Sequence, residues 1–266
     1  RNFDGTAVLI FQPAEEGRGG GREMVNEGML DRFGVQQVYG MHNKPGMAPG
    51  TFAIRPGPLL AAADRIYITV TGTGTHAAYP HLGRDPIVAA AHIIVALQSI
   101  AARNVDPLES AVITIGRIRG GDAGNVIPDS VKMVGTARTF SPQIQDIVEA
   151  RVVETVEATA RALGCDAEVT YKRDYPVTVN AAEETRIAAD VARGVTGGDI
   201  DTNYTPSMGA EDFSFMLNER PGAMIWIGNG DTANLHNPGY NFNDDITPVG
   251  VGYWARLIET SMPAER

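Results

Sequence analysis

Ser130-Val131-Lys132-Met133-Val134-Gly135-Thr136, then Ser141-Pro142, then an apolar stripe at Ile144, Val148, Val152, Val156, Ala160 and Leu163 that stops at Gly164, is the stretch on which the fold turns. The first segment reads as a strand. A serine followed by proline opens a helix, because the hydroxyl can accept an orphan backbone N–H and proline has no N–H to lose at the first helical position. The roughly four-residue stripe carries that helix on one face, and the glycine ends it. Ala167 to Tyr171 then reads as a closing strand. Working backwards, Ala111 to Ile118 reads as another strand, joined through Gly120-Gly121 and Pro128-Asp129. Asp85-Pro86 opens an earlier helix with apolar positions at Ile87, Ala91, Ile94 and Leu97, and Arg65 to Thr71 alternates as a strand with Ile66, Ile68 and Val70 on one face. The order is β-α-β-β-α-β, the ferredoxin-like pattern. These elements are assigned to an inserted domain over residues 63–174.

Outside it the fold class reads as α/β. Gly5 to Phe11 reads as a buried strand ending at Gln12-Pro13, a helix follows from about Gly20 to Phe33, and Val35 to Met41 reads as a short strand ending at His42. Proline and glycine punctuate residues 45–58. Beyond the insertion, Ala182 to Val195 reads as a helix, Ala223 to Ile227 as a buried strand and Pro248 to Ser261 as a final helix. Strands and helices alternating on both sides of an insertion imply one α/β layer built from residues 1–62 and 175–266.

Bulk properties narrow the function. The chain has 266 residues, 43% of them hydrophobic and 20% charged, which suits an ordinary globular fold of one or two domains. A net charge of −10 argues against a nucleic-acid partner, which would need a cationic surface. The single cysteine, Cys165, excludes an intrachain disulfide framework and fits a reducing, cytoplasmic setting. The longest apolar run, Ile87 to Ile100, is interrupted by His92 and Gln98 and is shorter than a membrane span, so no membrane partner is expected. The chain opens on Arg1 directly before a strand-like run, which is read as the loss of an N-terminal part.

Glu15 and Glu16 are adjacent carboxylates between a strand and a glycine loop. Like charges in a partly buried loop repel unless a cation or proton compensates, and adjacent side chains on an extended segment point different ways. One can hold a metal while the other faces a water. Of five histidines, His42 follows one strand and His236 follows another after a polar loop. With Glu16 they would lie beyond the carboxyl ends of strands, where open α/β sheets bind ligands, and imidazole with carboxylate suits zinc-like ions. His92 reads as part of a helix's apolar face and His81 as a turn residue with a local hydrogen bond. His76 sits in a glycine-containing loop after a strand, and spacing says no more of it.

Six motifs in order then carry a resemblance: Gln12-Pro13-Ala14-Glu15-Glu16, Gly40-Met41-His42-Asn43, Gly74-Thr75-His76-Ala77-Ala78-Tyr79-Pro80-His81, Asn125-Val126-Ile127-Pro128-Asp129, Met208-Gly209-Ala210-Glu211-Asp212-Phe213 and Leu235-His236-Asn237-Pro238. Across essentially its whole length the chain resembles the hippurate hydrolase and N-acyl-amino-acid amidohydrolase group of the aminoacylase-like dinuclear metallopeptidases. The resemblance implies a metallopeptidase-type catalytic domain with an inserted lid and dimerisation domain, and hydrolysis of the amide bond of N-acyl amino acids. It implies two divalent metal ions (zinc, manganese, nickel or cobalt) with Glu16, His42 and His236 as ligands, and Glu15 as general base. His76 is implied as the oxyanion donor that reaches the partner subunit of a homodimer, and Asn125 and Arg138 as holders of the substrate carboxylate. The family's upstream histidine, its glycine-histidine-aspartate run and its bridging cysteine or aspartate have no counterpart here. With three of the ligands, this chain is expected to bind metal weakly and to hydrolyse little. The alternatives are a dipeptidase or other acylase of the same superfamily, and a non-catalytic dimerisation module.

Overall fold

A computed structural model describes residues 2–264, which divide into two compact units. Within the described residues the first comprises residues 2–60, 178–207 and 211–264, and the second residues 61–177 with 208–210. Each is described by itself.

The first unit opens without the expected strand. Residues 5–11 form no ladder, and Leu9 and Phe11 are 76% and 86% exposed. Apolar composition alone does not make a strand; a neighbouring edge must pair with it in a ladder, and none forms over these residues. A four-residue turn, α1 (Glu15–Arg18), leads into α2 (Gly20–Asn26) and α3 (Met29–Arg32). The single helix expected over 20–33 is thus broken, at Gly28, whose φ of 77° ends one helix and starts the next. Then come β1 (Val38–Pro45), β2 (Phe52–Ala53) and β3 (Gly57–Leu60). β1 runs past the expected end, so His42 lies within the strand rather than after it.

The second unit begins with β4 (Ala62–Thr71) and β5 (Thr75–His76), followed by α4 (Pro86–Arg103), β6 (Ala111–Arg119), β7 (Val126–Ile127), β8 (Ser130–Thr139), α5 (Pro142–Ala162) and β9 (Asp166–Tyr175). The long strands form one antiparallel sheet in the order β6-β8-β4-β9. Both long helices cap as their sequences require: Asp85 accepts from Ile87 and Val88 N–H, and Ser141 accepts from Ile144 N–H. Their inner faces bury Ile93, Leu97, Val148, Val152 and Val156 against Ile66, Ile68, Val131 and Met133 of the sheet. Met208–Ala210 groups with this unit, and Gly209 accepts the Ala61 N–H at 2.9 Å.

The buried stripe of α4 is not the one its sequence suggests. Ala89, Ala90, Ile93, Leu97 and Ile100 are buried, whereas Ile87 is 43% exposed and Ala91 and His92 face out. This helix is apolar nearly all round, so a 3.6-residue period has no unique phase to report. It is also the one helix among the described residues long and apolar enough to cross a membrane, although part of it is committed to the core of this unit. On α5 the stripe holds from Ile144 to Ala160, and Leu163, beyond the last turn, is exposed.

The chain returns to the first unit with β10 (Thr178–Asn180), α6 (Ala182–Thr196), α7 (Ser214–Glu219), β11 (Gly222–Gly230) and α8 (Thr247–Ser261). β11 is buried at every residue and sits between parallel β1 and antiparallel β2. A central strand covered on both faces must be a continuous small and apolar run, as Gly222-Ala223-Met224-Ile225-Trp226-Ile227-Gly228 is. Asn180 ties β10 to β11: its amide accepts from Met224 N–H at 2.7 Å and donates to Met224 O at 2.9 Å.

The phase of α4 is testable. Leu97→Ala is expected to cost about 2–5 kcal/mol in urea unfolding, as for a core leucine. Val95→Ala, at a position 72% exposed, is expected to stay within about 0.5 kcal/mol. Equal costs would contradict this packing.

Candidate functional site

In the first unit the loop from Gln12 to Gly21 presents Glu15 and Glu16. Its backbone is unusual. Ala14 takes a left-handed φ of 54° and ψ of 44°, and Gly17 and Gly19 follow with φ of 78° and 64°. The loop then folds on itself so closely that a side chain on Gly20 would meet the Pro13 carbonyl oxygen at 1.7 Å. The other described non-glycine residue with positive φ is His236, at 64°. Such conformations cost energy and persist where surrounding contacts impose them. Here both occur beside the residues that the sequence singles out.

The Gln12–Gly21 loop is held by Asp212, next to Glu211, two acids to which sequence reasoning gave no role although their motif was noted. Asp212 is fully buried. One carboxylate oxygen accepts from the Gln12 side-chain amide, and the other accepts from Gly21 N–H at 2.7 Å. Its own N–H donates to Glu15. Glu211, also buried, accepts from Phe213 N–H at 3.3 Å and hydrogen-bonds Asp212 through its side chain. The signal that could have identified the pair is two consecutive acids inside the small and apolar run Met208-Gly209-Ala210 … Phe213, since buried acids are rare unless something partners them.

Crowding sets the electrostatics. Burial, with the charges of Glu16 and Asp212, raises the Glu15 carboxyl above its usual range, while the Asp212 N–H and His236 pull it back. Burial and the charge of Glu15 push Glu211 up to about 7. Burial also raises Asp212, against the Gly21 N–H, Glu211 and Arg22. The site stores negative charge that a cation or shared protons would relieve.

His236 places Nδ1 3.8 Å from a Glu16 carboxylate oxygen, and both side chains are open to solvent. Carboxylate oxygen and imidazole nitrogen are donors that zinc, manganese and similar ions accept, so the pair fits a divalent cation chemically. Among the described residues no group of three or more His, Cys, Asp or Glu side chains gathers in a metal-holding arrangement. His42 instead donates through Nδ1 to the Asn43 carbonyl at 2.7 Å and lies edge-on to Trp226. That tautomer leaves Nε2 with its lone pair, the state in which histidine binds metals.

The second unit holds the other candidates. His76 is in β5, not in a free loop, and pairs with Val126 of β7, next to Asn125. The Ala77 N–H donates to the Asn125 carbonyl at 2.9 Å, so His76 and Asn125 share one small ladder. Asp129 anchors it by accepting from Gly74 N–H at 2.8 Å. The Ala78 N–H donates to His76 Nδ1 at 3.0 Å, which puts the neutral ring's proton on Nε2. Arg138 is on β8, opposite Ala63 and Val112. It is half-buried, burial lowers its pKa against the charges of Asp64 and Asp174, and it forms no ion pair among the described residues. His92 and His81 are exposed; the His81 ring lies edge-on to Tyr79 and makes no hydrogen bond among the described residues, contrary to the local bond expected of it.

The raised Glu211 makes a signed prediction. Its pKa is 4.5 in a free chain and about 7 when folded. Between those values the folded protein holds a proton that the unfolded chain has lost, so this group's contribution to stability is present below about pH 4.5 and fades as pH rises through 7. In metal-free protein, the melting temperature of Glu211→Gln minus that of wild type should be more positive at pH 8 than at pH 5. An equal difference at the two pH values would contradict the assignment.

The model of peptidase family M20/M25/M40 matches residues 1–260. An N-acetyl-L-cysteine deacetylase of Bacillus subtilis is 39% identical over 91% of this chain and 58% of its own length. The hippurate hydrolase of Campylobacter jejuni is 35% identical over 97% of this chain and 67% of its own length. Among solved structures, the YXEP protein of Bacillus subtilis, a dinuclear metal-binding peptidase of the M20 family, superposes with a TM-score of 0.78 at 31% identity, over 95% of this chain and 64% of that one. The chain therefore spans about three-fifths to two-thirds of the length of these relatives. With a family match over nearly all its residues, this chain belongs to peptidase family M20/M25/M40.

Proposed function

We propose that the protein hydrolyses the amide bond of N-acyl amino acids, hippurate-like compounds among them, with a metal-activated water and Glu15 as general base. The observation that carries this reading is the carboxylate pair Glu15-Glu16 with His236 at 3.8 Å from Glu16, in a chain of this family. The deacetylase and hippurate hydrolase relatives support the substrate class.

Glu16 and His236 would hold a divalent ion, with His42 as a further donor through its free Nε2. A bound ion of this kind polarises an amide carbonyl and lowers the pKa of the attacking water. Glu15, raised by burial and by Glu16 and Asp212, is suited to accept the water's proton and pass it to the leaving nitrogen, since a general base works best with a pKa near the working pH. His76 would offer Nε2–H to the developing oxyanion, a contribution of roughly 3 kcal/mol in other enzymes. Arg138, in no ion pair among the described residues, can grip the substrate carboxylate through its planar fork, with Asn125 beside it in role. The second unit, with its ferredoxin-like strand order, would serve as lid and as the contact between two copies.

In the full-length protein, Glu15→Gln should cut kcat at least about 1,000-fold, and His76→Ala about 100-fold, with little loss of bound metal. The panel to measure is hippurate, N-acetyl amino acids and dipeptides. Retained turnover in Glu15→Gln would remove the proposed base, and turnover of dipeptides alone would move the protein to a peptidase.

A further inference from the structure

Between Gln12 and Gly21 the chain makes a loop whose two ends are both bound by a single side chain 191 residues beyond Gly21. Asp212 accepts from the Gln12 amide with one oxygen and from Gly21 N–H with the other. Its N–H donates to the Glu15 carboxylate. The loop between these anchors contains Ala14 in a left-handed conformation that alanine does not favour, together with Glu15 and Glu16. That conformation lies between the two points that Asp212 holds. Gly20 and Gly21 are required on the far side, since a side chain on Gly20 would strike Pro13 O and one on Gly21 would meet the Asp212 carboxylate at 2.9 Å.

We infer that Asp212 is the positioning residue of the catalytic base: its carboxylate fixes both ends of the Glu15-Glu16 loop while its backbone orients Glu15. This rests on the reading of Glu15 as base. Asp212 touches no reacting atom in this account. Glu211 supports it by giving Asp212 a further hydrogen-bond partner within the same buried pair. A fully buried aspartate needs partners, and the Gln12 amide and the Gly21 N–H at the start of α2 supply them.

The test uses the full-length protein and three variants. Gln12→Ala removes one arm at a half-exposed position and keeps the buried acid; Asp212→Ala removes both arms; Glu15→Gln reports the base. Gln12→Ala should lower kcat about 10-fold and Asp212→Ala about 100-fold, with KM within about threefold of wild type, because small misplacement of a reacting group acts on the chemical step. Amide hydrogen exchange across residues 12–21 should speed up in both, while the exchange of β11 stays as in wild type. Unchanged exchange at residues 12–21 in Gln12→Ala would overturn the clamp, as would a loss carried by KM. If Asp212→Ala does not fold, Gln12→Ala still decides by both readouts. Should Glu15→Gln retain activity, the base assignment falls; the exchange readout judges the clamp separately.

Discussion

Negative charge gathered where a short loop meets Glu211 and Asp212 is the constraint around which the first unit is organised. Glu16 and Asp212 raise the Glu15 carboxyl, Glu15 and Asp212 raise that of Glu211, and Glu211 and Asp212 are buried. Such a group is stable only if hydrogen bonds, shared protons or a cation absorb the repulsion. Backbone N–H groups of Gly21, Asp212 and Phe213 and the Gln12 amide supply the first. The Glu211–Asp212 hydrogen bond supplies the second. Glu16 and His236, exposed at the rim, offer the donors for the third.

The scaffold beneath explains why the loop can hold so unfavourable a shape. β11, buried along its whole length, pairs with β1 in parallel register, and Asn180 locks it to β10 with two hydrogen bonds to Met224. A rigid central strand fixes the positions from which His42 on β1 and the segment leading to His236 depart. In the second unit a different economy applies: the helices cover one sheet face, and the small β5–β7 ladder holds His76 and Asn125 at its edge.

Much of this was legible in the sequence where local rules act alone. The strands β4, β6, β8 and β9 and the capped starts of α4 and α5 followed from alternation, Asp85-Pro86 and Ser141-Pro142, because capping and pleat need only near neighbours. Illegible features depended on distant partners or lacked a phase. Residues 5–11 are apolar yet form no strand, since pairing is not written in one segment. The inner face of α4 could not be read because both faces are apolar. Gln12, Ala14, Glu211 and Asp212 had no visible role because what joins them is a hydrogen-bond network spanning two hundred residues. The histidines were visible as rare residues, but which of them meets Glu16 is a matter of geometry, and His236 is the one that comes to 3.8 Å from it.

The central claim is that Glu16 and His236 are cation donors within this carboxylate cluster. Calorimetric titration of zinc or manganese into metal-stripped full-length protein, set against the Glu16→Ala/His236→Ala double variant, addresses it most directly. Saturable binding is expected in the wild type, and the double variant should lose at least about 100-fold in affinity, in line with the loss of first-row metal donors. Equal affinity and stoichiometry in the two proteins would contradict it.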